Sequence, residues 1–302
     1  MFDKLQGLVA ATHTPFHADG SLDLSGVERQ AAHLTRAGVK AAFIAGTTGE
    51  SHSLTLEERQ ALALRWSEVI PGTGLRLVVH VGSNCLSDAR ALAAHAQKVG
   101  ASAVAALSPS YFKPPSLDAL VAWCADIAAD APGLPFYFYD IPGMTGVSLS
   151  MPDFLETARI PTLAGLKFTN PDLMAYQRCL HAAGGRFDIP WGLDEFLLAA
   201  LALGATGAVG STYNLAAPLY RRVIDAFGRA DMAAARADQF RSVQLVDLLI
   251  GFGFIGAAKA VMGMLGTPVG PARPPHVNPT GERLAALRAG LERIGFFEWA
   301  GP

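Results

Sequence analysis

Short apolar runs recur along the chain, and each is followed by a longer stretch in which apolar residues return every three or four positions. The runs lie at Leu8–Thr12, Ala41–Ala45, Leu75–Val81, Ala103–Leu107, Pro135–Tyr139, Gly165–Phe168, Asp188–Trp191 and Gly207–Gly210. They are largely continuous in apolar character, as parallel strands covered by helices should be. About eight strands alternating with helices is the requirement of an α/β fold closed as a (β/α)8 TIM barrel. The gap between runs stays near roughly 30 residues, without a linker before about Ala216, which favours one closed barrel over a doubly wound open sheet, the runner-up.

Helix starts are legible between the runs. Thr55 with Glu58 three residues later forms a capping box, and Ser87-Asp88 and Ser116-Leu117-Asp118 read as similar openings. After the last run, Ala216–Leu265 and Thr280–Phe297 read as additional C-terminal helices, joined through the proline-rich connector Pro268–Pro279. The expected division is a catalytic barrel over residues 1–215, with 216–302 supplying the final barrel helix and a helical extension of the same structural unit.

With 302 residues, 51% of them hydrophobic, the chain can bury a large core, and a formal charge of -2 with no basic block offers no footprint for nucleic acid or an anionic membrane. Small polar partners remain open. Cys85, Cys124 and Cys179 are far apart and odd in number, with no CxxC spacing, which argues against a disulfide framework or zinc site and fits a reducing cytoplasm. Met1–Gly7 lacks the zones of a signal peptide. The apolar stretch Leu245–Leu265 contains Asp247, Lys259 and three glycines, so core or subunit-interface helices are a better reading than a membrane span.

The residue that most needs explaining is Lys167, alone in Leu163-Ala164-Gly165-Leu166-Lys167-Phe168. An ammonium removed from water loses hydration that only pairing or deprotonation offsets, and a neutral amine is the species that attacks a ketone to form a Schiff base. A lysine at a strand end, snorkelling to solvent, is the alternative. In a barrel the chemistry sits at the C-terminal strand ends. There the chain carries Gly46-Thr47-Thr48-Gly49-Glu50, Ser108-Pro109-Ser110-Tyr111, Tyr139-Asp140-Ile141-Pro142, Lys167 with Thr169, Gly192-Leu193-Asp194-Glu195 and Gly210-Ser211-Thr212-Tyr213-Asn214.

The first of these loops suits a carboxylate, because successive backbone N–H groups make an anion nest, although a plain tight turn reads equally well. Tyr111 and Tyr139 can be rim tyrosines, and Asp194-Glu195 helix-start acids. Gly204–Ser211 lacks both the Walker lysine and the dinucleotide glycine spacing. His13 and His80 fall on strands and His33, His95 and His181 on helix patterns, without HExxH spacing, so no metal is expected. No GxSxG elbow is present.

Gly46-Thr47-Thr48-Gly49-Glu50, Tyr139-Asp140-Ile141-Pro142, Gly165-Leu166-Lys167-Phe168-Thr169 and Gly207–Asn214, in this order, resemble the N-acetylneuraminate lyase and dihydrodipicolinate synthase family of pyruvate-dependent class I aldolases. The resemblance covers nearly the whole chain and weakens after about Gly270. The synthase branch has an arginine two residues after the proline of Tyr-x-x-Pro to hold a second carboxylate. Met144 stands there in this chain, so that bidentate partner is missing. Lys167-Phe168-Thr169, Gly192–Glu195 and Gly210–Asn214 are similar to the lyase branch, whereas Gly143-Met144 departs from it.

The resemblance implies that Lys167 forms the Schiff base, Tyr139 moves the proton, Tyr111 completes a hydroxyl relay, and Thr47 and Thr48 hold the pyruvyl carboxylate. Thr169, Gly192, Asp194, Glu195 and Ser211 would bind sugar hydroxyls. It further implies no cofactor beyond the covalent substrate adduct, a keto acid substrate with pyruvate as product, and a homotetramer. Aldol or dehydratase chemistry on another 2-keto-3-deoxy sugar acid, a dihydrodipicolinate synthase-like activity, or a catalytically silent sugar-acid sensor are the alternatives.

Overall fold

The computed structural model describes residues 2–301. Seven parallel strands are β1 (Gly7–Ala11), β2 (Ala41–Ile44), β3 (Arg76–His80), β4 (Ala103–Leu107), β5 (Phe136–Asp140), β6 (Leu163–Phe168) and β7 (Gly207–Gly210). Their hydrogen-bonded order is β6-β5-β4-β3-β2-β1-β7.

The remaining stave, expected at Asp188–Trp191, forms only isolated bridges, to Gly165 and Phe168 on one side and Ala208 on the other. Pro190 explains this departure, because it has no N–H to give to a ladder. The segment nonetheless closes the barrel. Leu166 N–H donates to Asp188 O and Phe168 N–H to Pro190 O, each at 3.0 Å, while Val209 N–H donates to Trp191 O at 2.8 Å. The architecture is therefore a (β/α)8 barrel with extra C-terminal helices.

The connecting helices are α1 (Gly26–Arg36), α2 (Leu56–Val69), α3 (Leu86–Lys98), α4 (Leu117–Ala129), α5 (Pro142–Thr145), α6 (Met151–Thr157), α7 (Leu173–His181) and α8 (Leu197–Leu203). Then follow α9 (Tyr213–Gly228), α10 (Met232–Gly251), α11 (Phe254–Met264), α12 (Gly281–Arg293) and α13 (Phe296–Trp299). The capping box forms as expected, with Thr55 Oγ1 accepting from Glu58 N–H and Glu58 accepting from Thr55 N–H. Ser116 caps α4. Ser87 does not cap α3, which starts one residue earlier behind Cys85 and keeps Asp88 in its first turn. His13 lies beyond the end of β1 rather than on it. The stretch Leu245–Leu265 breaks at Phe252-Gly253, and the two helices either side bend by 114°. Among the described residues no single helix is long and apolar enough to cross a membrane.

Both faces of the sheet are apolar, yet strand period still sorts the residues. Leu8, Ala10, Ala42, Ile44, Phe136, Phe138, Leu166 and Phe168 join the core between sheet and helices. Val9, Ala41, Phe43, Val78, Ala105, Tyr137, Tyr139 and Val209 form a second cluster inside the barrel. Lys167 lies between Leu166 and Phe168, so the same alternation turns it inward, and β5–β6 pairing sets it beside Tyr139.

Candidate active site

Lys167 is only 4% exposed, near the C-terminal end of β6. Its Nζ lies 3.7 Å from the centroid of the Tyr139 ring and 4.5 Å from that of Phe43. Among the described residues no carboxylate pairs with it. The snorkelling alternative is excluded by this burial, and the amine instead opens onto a cavity of about 220 Å³. The same cavity is lined by Thr47, Thr48, Tyr139, Thr169, Gly192, Asp194, Glu195 and Ser211.

Tyr139 is fixed by edge-on contacts with Phe43 and His80, both at 5.8 Å between centroids. Its hydroxyl lies 3.3 Å from Thr47 Oγ1. Thr48 Oγ1 lies 2.6 Å from Ser211 Oγ, which joins the loop after β2 to the one after β7. Burial holds the His80 imidazole well below its usual range, with the Arg59 charge adding to the effect, so the ring is neutral. Its Nδ1–H donates to Ala45 O at 2.9 Å, and its Nε2 accepts from Leu107 N–H at 3.4 Å.

The threonine loop is bracketed by two buried non-glycine residues in the left-handed region, Ala45 (φ 52°) and Glu50 (φ 56°). Each such backbone costs on the order of 1–3 kcal/mol and persists only where surrounding contacts over-determine it. The His80 bond to Ala45 is one such contact.

Opposite the amine, Asp194 Oδ2 accepts from Thr212 N–H at 2.8 Å and from Thr212 Oγ1 at 2.6 Å. Burial pushes the Asp194 carboxyl up, against the opposing pull of the Thr212 bonds and the Lys167 charge. Glu195 is also raised by burial and by the neighbouring Asp194 charge. Asp194 Oδ1 and Thr169 Oγ1 are buried without a hydrogen-bond partner among the described residues. Buried polar atoms are rarely left so, and both residues line the cavity.

Two glycines make the wall possible. A Cβ on Gly192 would lie 2.0 Å from Thr169 Oγ1, and one on Gly210 would lie 1.7 Å from Asp194 Oδ1. Gly210→Ala is therefore expected to displace Asp194, with a stability loss of about 1–3 kcal/mol from overpacking and a raised KM. Thermal denaturation alongside steady-state kinetics checks this, and unchanged values for both would show that the approach is not tight.

Tyr111 does not join this group. It follows Ser110 in the loop after β4 and is 80% exposed, edge-on to Phe112, with its N–H donating to Asn84 Oδ1. The loop carries its side chain away from the cavity of its own chain, so the hydroxyl relay expected beside Tyr139 is not formed by this chain alone. Conversely, Val246, Ile250, Phe254 and Ile255 line the cavity from α10 and α11 and were not foreseen. Apolar residues carry no chemical signature, and the one available signal was the Gly251-Phe252-Gly253 interruption.

Among the described residues no cluster of His, Cys, Asp or Glu is placed to hold a metal ion, and all three cysteines are free. The assembled groups are an amine, hydroxyls and two carboxylates, suited to imine chemistry on a carbonyl compound.

The chain is 41% identical over 297 residues to the N-acetylneuraminate lyase of Gallus gallus, covering 96% of each protein. Among solved structures, the N-acetylneuraminate lyase of Proteus mirabilis superposes with a TM-score of 0.94 at 40% identity, over 97% of this chain and all of the other. That of Aliivibrio salmonicida gives 0.95 at 41% identity over 98% of both chains. Residues 4–294 match the dihydrodipicolinate synthetase family. By the order of its motifs, its barrel and these likenesses, the chain belongs to the dihydrodipicolinate synthetase family.

Proposed function

We propose that this protein is a Schiff-base-forming class I aldolase that cleaves N-acetylneuraminate to pyruvate and N-acetylmannosamine. The observation that carries the reading is the buried Lys167 amine, unpaired by any carboxylate among the described residues and facing the same cavity as the threonine loop, Thr169 and Asp194. The two lyase structures named above, alike over nearly the full length, support the choice of branch.

Lys167 Nζ adds to the substrate ketone carbon, and loss of water from the carbinolamine gives an iminium. Thr47 and Thr48 hold the substrate carboxylate beside it. Tyr139 removes the proton of the C4 hydroxyl, directly or through that carboxylate. The C3–C4 pair then flows into the iminium, releasing N-acetylmannosamine and leaving an enamine on Lys167. Protonation at C3 and addition of water return pyruvate and the free amine. No bound cofactor enters these steps. Thr169, Gly192, Asp194, Glu195 and Ser211 would bind the sugar hydroxyls, with the free Asp194 Oδ1 and Thr169 Oγ1 as the first acceptors.

Asp194→Ala is expected to raise KM by about 10- to 100-fold and relax substrate choice, since a lost hydrogen bond to a site built for a hydroxyl discriminates more than lost area. Relative kcat/KM for N-acetylneuraminate and a deoxygenated analogue tests it, and an unchanged ratio removes Asp194 from sugar recognition.

The exposed Tyr111, Phe112 and Phe240 suit subunit contacts, and a homotetramer working in the cytoplasm is the proposed setting.

A further inference from the structure

Behind the threonine loop lies a buried charged cluster that the aldol chemistry does not use. Lys259 Nζ on α11 is 2.6 Å from Glu50 Oε1, with the two side chains 1% and 0% exposed. The same Nζ donates to Pro271 O at 2.8 Å and lies 4.2 Å from the centroid of the Phe16 ring. Glu50 Oε2 accepts from Arg273 N–H at 2.7 Å, and the Arg273 guanidinium in turn grips Glu58 and the carbonyls of Gly20 and Ser53. His13 completes the cluster, buried and pushed down to about 3 by burial, with the Lys259 charge second, so it stays neutral.

Glu50 is the left-handed residue that ends the loop, as Ala45 is the one that begins it. The His80 bond secures the Ala45 end, and the Lys259 pair secures the Glu50 end. Lys259 stands four residues after Ile255, one turn along α11 from the residues that wall the cavity.

We propose that Lys259 is a positioning residue for the substrate carboxylate: through its ion pair with Glu50 it holds the Ala45–Glu50 loop so that Thr47 and Thr48 face the cavity, and it ties that loop to the helix forming the apolar wall. This rests on the carboxylate-binding role proposed above for the two threonines. Removing Lys259 alone leaves the buried Glu50 carboxylate with the Arg273 N–H but no ion-pair partner, which destabilises the loop that carries it. The pair also depends on pH. Burial pushes the Lys259 ammonium down to about 8, with Glu50 opposing it. The groups facing it are Glu50 from the loop, His13 from the end of β1 and Arg273 from the connector. Lys259 is charged below that value, so the clamp is present at neutral pH and weakens as pH rises through about 8.

The test compares the wild type with Lys259→Met and with the double variant Glu50→Gln/Lys259→Met, which leaves no stranded charge. Borohydride labelling of Lys167 by pyruvate is followed against pyruvate concentration, together with the thermal midpoint. Half-saturating pyruvate is expected to rise about tenfold or more in both variants while maximal labelling is retained, a split that a purely structural role would not produce. A folded double variant that half-saturates at the wild-type concentration overturns the proposal. Absence of labelling in the wild type would instead refute the site reading on which it rests.

Competition by lactate, which has the carboxylate but no ketone, supplies a second arm: its inhibition constant is expected to rise about tenfold in the double variant, and a constant unchanged from the wild type overturns the proposal.

Discussion

Lys167→Ala is expected to abolish measurable formation of pyruvate from N-acetylneuraminate in a protein that remains folded. The loss should be on the order of 10⁴–10⁶-fold, the scale at which deletion of a covalent nucleophile leaves only binding and polarisation. No second amine can substitute, because among the described residues lining the cavity Lys167 is the only lysine, and the buried Lys259 is held by Glu50. The fold should tolerate the change. The alanine side chain still points into the barrel, and the removed group was a buried amine without a carboxylate partner among the described residues. A discontinuous assay for pyruvate, with a thermal midpoint, decides it, and near-normal turnover would refute the scheme.

Tyr139→Phe is expected to lower kcat by about 10²–10⁴-fold, the usual contribution of a positioned general acid–base. The ring keeps its edge contacts with Phe43 and His80, so stability should change little, and what disappears is the hydroxyl 3.3 Å from Thr47 Oγ1. Since Lys167 remains, imine formation should survive while carbon–carbon cleavage stalls. Borohydride treatment of the variant with N-acetylneuraminate should therefore trap an adduct of uncleaved sugar acid. A variant that yields only the pyruvyl adduct at the wild-type rate would assign the proton transfer to another group.

The barrel was legible because both faces of the sheet need apolar cover, so each strand reads as a short continuous apolar run set off from the helical periodicity on either side. The seven laddered strands lie within one or two residues of the apolar runs that predict them. The remaining stave was right in place but not in kind, since Pro190 interrupts the ladder while the carbonyls on either side still hold the closure. Of the ten residues to which the resemblance gives a catalytic or binding role, nine line one cavity, a consequence of parallel strands ending on the same face.

Tyr111 shows the limit of that reasoning. A loop can leave a strand end in any direction, and the hydrogen bonds of Asn84 to Ser110 and Tyr111 that orient this one come from a residue 26 and 27 positions away. The Lys259–Glu50 pair was hidden for a similar reason, because its partners lie on different elements and only folding brings them within 2.6 Å. A lysine between Ala258 and Ala260, in a segment as apolar as the one around Lys167, was the sole trace of it in the chain.

The most direct test of the central claim is borohydride trapping with N-acetylneuraminate as the only ligand, followed by peptide mass mapping. A pyruvyl-sized adduct on Lys167 is the predicted result, since it requires both the imine and the cleavage of this substrate. No adduct from the sugar acid, in a protein that free pyruvate labels at Lys167, would contradict the assigned substrate while leaving the imine chemistry in place.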